Sequence, residues 1–165
     1  MASSSVSVSD RSQAATVLNL PTWQERAGAR GAIAALGRLS FAAIFLLAGL
    51  NHFSQQTIAY AANAGVPFAS IAVPLSGVIA LLGGFSILLG YRAKSGAWLI
   101  VIFLIPVTLM MHNFWTVKNP MMAQMQMVML MKNASMLGGA LLITQLGAGP
   151  WSLDAHRSVE QSEQA

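Results

Sequence analysis

Two cations, Arg38 and Lys132, sit inside apolar runs with no acid to neutralise them. From Arg26 to Leu153 the chain runs 128 residues without an Asp or Glu; Glu25 is the last acid before that gap and Asp154 the first after it. A cation in hydrocarbon costs about 3 kcal/mol or more, so these side chains must meet water, carbonyl oxygens, lipid phosphate, another subunit or a ligand. The same gap excludes paired-carboxylate catalysis, carboxylate proton relays and carboxylate metal sites from the apolar core. There is no cysteine, which removes disulfides, thiol redox chemistry, Fe–S clusters and Cys-zinc sites for this chain alone.

A second polar group falls near the ends of the apolar runs. Asn51-His52-Phe53 and His112-Asn113-Phe114 are similar triplets, and Lys132-Asn133 lies in the last run. Brought together, His52, His112, Asn113, Lys132 and Asn133 make a donor-rich pocket with Phe114 or Trp115 beside it. That chemistry suits the carbonyls of a quinone, or a small anion. Plainer readings stand beside it. The histidines are then ordinary interfacial residues. Arg38, a possible second polar site, snorkels to headgroups about two turns away, and Lys132 bonds to a neighbouring helix. Two histidines on separate helices also match axial haem ligation, but nothing else in the chain supports it. Met121, Met125 and Met129 are spaced to share a helical face, and thioethers suit Cu(I). Methionine is also a flexible apolar filler, and packing is the preferred reading. No catalytic residue and no metal site is assigned.

The elements that must position these residues follow from composition. The chain has 165 residues, 55% hydrophobic and 8% charged, with mean hydropathy +0.60; soluble domains carry about 25% charged residues. The expectation is an all-α integral membrane four-helix bundle over residues 31–150, with spans at about 31–50, 68–89, 97–114 and 125–146. Each is long enough to cross about 30 Å of hydrocarbon as a helix. Residues 1–30 read as a polar, mostly disordered segment with a short interfacial part, 51–67 as a loop, and 151–165 as a cytoplasmic tail, disordered from Val159. Arg11, Arg26 and Arg30 precede the first span, Arg92 and Lys94 lie in the second connection and Arg157 in the tail. The positive-inside rule puts both termini and that basic turn in the cytoplasm, so His52, His112 and Lys132 share the outer leaflet. Gly77 and Gly84 are seven apart and share a face; with Gly83 and Gly138-Gly139 they predict close helix packing.

Several blocks resemble the DoxX family of small bacterial membrane proteins. They are Gly37-Arg38, Phe45 to Leu50, Leu82-Gly83-Gly84, Leu88 to Arg92, His112 to Trp115, Lys132 to Gly139, and Gly147 to Asp154 with its terminal Ser-Leu-Asp. The resemblance implies a bacterial inner-membrane protein. Some such relatives are described as subunits of a thiosulfate:quinone oxidoreductase, others as members of redox complexes linked to oxidative-stress defence. Many carry a Glu ahead of the second-helix Gly-Gly, where this chain reads Pro74-Leu75-Ser76-Gly77-Val78-Ile79. The expectation is an accessory, quinone-interacting subunit of a membrane redox system, with lipid, other redox subunits or further copies of itself as partners, and no nucleic acid. A small-solute transporter or channel, and a scaffold recruiting a soluble enzyme through Arg92 and Lys94, remain as alternatives.

Overall fold

The computed structural model describes residues 23–163, with side chains from 28 to 158; the N-terminal residues read as disordered lie largely outside this range. Its helices are α1 (Trp23–Asn51), α2 (Gln55–Asn63), α3 (Ala69–Leu89), α4 (Ala93–Met111), α5 (Pro120–Leu146) and α6 (Leu153–Glu163), with a 3-10 turn at Phe114–Thr116 before α5. Four of them, α1 from Gly28, α3, α4 with the 3-10 turn, and α5, are long and apolar enough to cross a membrane. No strand occurs among the described residues. The chain is a multi-pass helical membrane protein.

Local chemistry explains the boundaries. Asn119 accepts the Met122 N–H at 3.1 Å and Pro120 opens α5, where its missing N–H costs nothing. Ser54 caps α2 through the Thr57 N–H at 3.2 Å. Helix α3 stops at Gly90, whose φ of 63° is left-handed. There the Gly90 and Tyr91 N–H groups bond back to the Ile87 and Ser86 carbonyls at 3.1 and 3.0 Å.

Along the chain, α1 packs on α3, α3 on α4 and α4 on α5, with no comparable packing between α1 and α5. The main core is Phe45 of α1, Ala80 and Ile87 of α3, Ala97, Ile100, Phe103 and Leu104 of α4, and Ala140 of α5. Gly77 and Gly84 do share a face, and both meet α1: a Cβ at Gly77 would meet His52 and Gly49, one at Gly84 would meet Leu46. Large apolar side chains such as Leu36, Leu47, Phe85 and Leu142 point outward, as contact with lipid tails requires.

Several expected boundaries need correction. Helix α1 begins at Trp23, so the polar turn before Gly31 continues the helix. The loop expected at 51–67 contains α2, and the tail expected to be disordered from Val159 is helical to Glu163. Helix α5 starts at Pro120 rather than Met125 and has 27 residues, about 40 Å at 1.5 Å per residue.

At the basic end, the tail is tied to the connection between α3 and α4. Asp154 accepts the Arg92 N–H at 2.7 Å and the Ala93 N–H at 3.0 Å, and its own N–H bonds to the Gly90 carbonyl at 2.8 Å. The first acid after the long gap thus caps α4, with its charge at the positive end of that helix. Ser152 braces the same turn, donating to the Gly149 carbonyl at 2.7 Å and accepting the Ala155 N–H at 3.2 Å. Arg157 lies 4.5 Å over the Tyr91 ring. Asp154→Ala is expected to cost about 1–2 kcal/mol and to speed amide exchange in α6 and in the first turn of α4. Unchanged exchange in both segments would show that the cap is not what holds the tail.

Candidate functional site

His52 follows the last residue of α1. Its Nδ1 donates to the Ala48 carbonyl at 2.6 Å, and its ring meets Phe103 of α4 nearly edge-on, with centroids 5.6 Å apart. A neutral imidazole that donates through Nδ1 leaves Nε2 as an acceptor. His112 ends α4: its backbone, at φ −124°, has left the helix while its N–H still reaches the Thr108 carbonyl at 3.2 Å. Its Nδ1 donates to Gln126 Oε1 on α5 at 2.8 Å, which frees Nε2 in the same way.

Lys132 and Asn133 lie on α5, about two turns beyond Gln126. Lys132 is exposed on the surface of the chain. It lies twelve residues into α5, about 18 Å along the helix from Pro120, which puts its charge deep in the span. Asn133 is only 5% exposed.

These residues converge. His52, His112, Lys132 and Asn133 line one cavity of about 150 Å³ between α1, α4 and α5, walled by Phe45, Phe103, Leu104 and Met136. Lys132 and the Asn133 amide supply donors, the Nε2 atoms and the Asn133 oxygen supply acceptors, and the walls are apolar. The sequence reading treated the site as purely donor-rich. The Nδ1 protons of both histidines are spent on Ala48 and Gln126, so the site is mixed.

Asn113 and Phe114 do not join it. The chain turns out of α4 at His112, and the Asn113 carbonyl accepts the Thr116 N–H and hydroxyl at 3.0 and 2.9 Å. The Phe114 ring stacks edge-on against Trp115, with centroids 5.2 Å apart. The aromatic wall comes instead from Phe45 and Phe103, whose rings meet edge to face at 6.2 Å. Phe45 could have been found, seven residues before His52 on one helical face. Gln126 carried no comparable signal.

Arg38 belongs to the opposite end. It neither snorkels nor joins the cavity. Its guanidinium donates to the carbonyls of Ala148 at 2.5 Å, Pro150 at 3.3 Å and Trp151 at 2.6 Å, and the side chain is 8% exposed. Three backbone acceptors replace the missing carboxylate. Met121, Met122 and Met125 are exposed on α5; they line the outside of the bundle and do not fill its core.

Comparison with known families corrects the resemblance drawn from the Lys132–Gly139 and Ser152–Asp154 blocks. The matching family model is described as the SURF4 family and covers residues 4–159, so the DoxX assignment does not stand. No curated protein matches the chain significantly, and no solved structure does.

Proposed function

The chain belongs to the SURF4 family, and we propose that it is an accessory membrane protein that holds a quinone or its quinol between α1, α4 and α5. The carrying observation is the meeting of His52, His112, Lys132 and the 5%-exposed Asn133 on one apolar-walled cavity. A hydrogen bond from the Asn133 amide to a ligand oxygen would contribute about 0.5–1.5 kcal/mol. A cavity of about 150 Å³ with apolar walls is large enough for benzene, so this one suits a single six-membered ring. Lys132 and Asn133 would donate to a carbonyl oxygen. The imidazole Nε2 atoms would accept from a hydroxyl, so the same walls serve the reduced form. The apolar walls of Phe45, Phe103 and Leu104 favour such a ring over a small inorganic anion, which needs polar contacts on most sides.

The residues of this chain bind and orient; electron transfer would belong to a partner subunit. The basic end, with Arg92, Lys94 and Arg157, supports a cytoplasmic placement of that end. The ring site then lies in the outer half.

The test is mass spectrometry of small molecules extracted from protein purified in mild detergent. Near-stoichiometric quinone is expected from the unaltered chain. Lys132→Met and Asn133→Leu, each still monodisperse, are expected to bind about ten- to a hundredfold more weakly, since a hydrogen bond to a charged group contributes about 1.5–3 kcal/mol. Phospholipid alone, or retention untouched by both substitutions, would overturn the reading.

A further inference from the structure

A second cavity of about 190 Å³ lies on the other side of His52, and His52 and Val107 line both chambers. It sits under α2 between α3 and α4, with walls from Ala61, Ala72, Val73, Pro106 and Met110. The hydroxyls at its edge are already engaged. Thr57 Oγ1 is 2.8 Å from Ser54 Oγ, and Ser76 Oγ donates to the Val73 carbonyl at 2.7 Å. Apart from His52, which lines both chambers, this one has no free polar side chain, whereas the first is also lined by Lys132, Asn133 and His112. One chamber is lined by polar groups and its neighbour mainly by hydrocarbon, and His52 and Val107 stand between them.

We propose that the second chamber is a tail subsite: it takes the first part of an isoprenoid or alkyl chain attached to the ring held in the first. This rests on the ring-site reading above. Because His52 and Val107 line both chambers, a tail leaving the ring would have to pass these two side chains to reach the second chamber. Scaled from benzene in about 150 Å³, the chamber holds about seven carbons, one isoprene unit and part of the next. In a membrane the tail is apolar whether bound or free, so the gain comes from closer packing rather than from escape from water. The preference therefore saturates once the chamber is full.

The experiment compares equilibrium binding of 1,4-hydroquinone, without ring methyls or a tail, and of hydroquinones carrying one, two and four isoprene units. Full-length protein in detergent is used, and affinities are referred to micelle mole fraction so that partition cancels. Affinity is expected to rise about five- to tenfold over the first two units and to stay level from two to four. Ala72→Leu and Ser76→Leu, which fill the chamber from two positions on α3, are expected to abolish that rise and leave the tailless compound unaffected. Binding that ignores tail length in the unaltered protein overturns the tail subsite and leaves the ring site standing. A tail preference that survives both filling substitutions does the same. Failure of every compound to bind, the tailless one included, overturns the ring site and the tail subsite with it.

Discussion

Arg38→Met is expected to lower the stability of the folded protein by about 3–5 kcal/mol, because it removes charge-assisted hydrogen bonds to the buried Ala148 carbonyl and to the part-buried Pro150 and Trp151 carbonyls. For a chain of this length each kcal/mol shifts the thermal midpoint by about 2–4 °C, so a drop of roughly 10 °C in detergent is the measurable outcome. Arg38→Lys is expected to recover little of it. Three carbonyls are held from two guanidinium nitrogens in a fixed fork, and an ammonium group offers one centre on a flexible stem. Quinone retention by whatever folded Arg38→Met protein survives is expected to be unchanged, since Arg38 lines neither chamber. A midpoint within a degree or two of the unaltered protein would sink the assignment of Arg38 as a structural tie. Lost retention at full stability would return it to the ligand.

Gly77→Val is the next largest. A Cβ at Gly77 would lie 2.7 Å from the His52 Cβ and 2.9 Å from the Gly49 carbonyl oxygen. Neither atom is the far end of a flexible side chain, so α1 and α3 must separate. Overpacking of this kind costs about 1–3 kcal/mol, and here it also pushes His52 off the wall between the two chambers. The expected result is a lower midpoint together with lost ligand retention. Gly37→Ala and Gly138→Ala are the matched comparison: a Cβ at either meets nothing within 4 Å. They are expected to be neutral, or to gain a few tenths of a kcal/mol from helix propensity. If Gly77→Val behaves like these two, the close crossing of α1 and α3 does not set the position of His52.

Much of this architecture was legible from hydropathy because lipid imposes it. A run such as Ala69–Leu89 with no charge can only be satisfied as a buried or lipid-facing helix. That His52, His112, Lys132 and Asn133 share one end was legible for a related reason: four spans in up-down order leave two ends, and the basic residues mark one of them. That they line one cavity was not, because the order of helices in the bundle is not written in hydropathy. What failed lay where hydropathy is silent. Helix α2 is polar at Gln55 and Gln56 and is held by a Ser54 cap and by burial of Ala61, so its sequence reads as a loop. Asn113 and Phe114 were grouped with His112 as though α4 continued, yet the helix ends there and turns them away. Arg38 has acceptors that no sequence letter announces, because they are backbone carbonyls brought round by the Gly147–Gly149 turn. Ser152 and Asp154, prominent in the mistaken family resemblance, close the basic end of the bundle. That is a local duty that says little about ancestry.

The tie from Arg38 to the segment after α5 also sets an order of events during synthesis. The guanidinium is made 110 residues before the Ala148 carbonyl that receives it. At about 5–20 residues per second, the ribosome leaves the cation waiting for roughly 5 to 20 s. Throughout that interval the first span carries a charge that hydrocarbon disfavours, and it is held at the edge of the bilayer or beside the insertion machinery. Only when the last span is in place and its trailing turn swings back does the charge find its carbonyls. Burial of Arg38 therefore comes last: a nascent chain halted before Ala148 carries an arginine that has none of these three carbonyls.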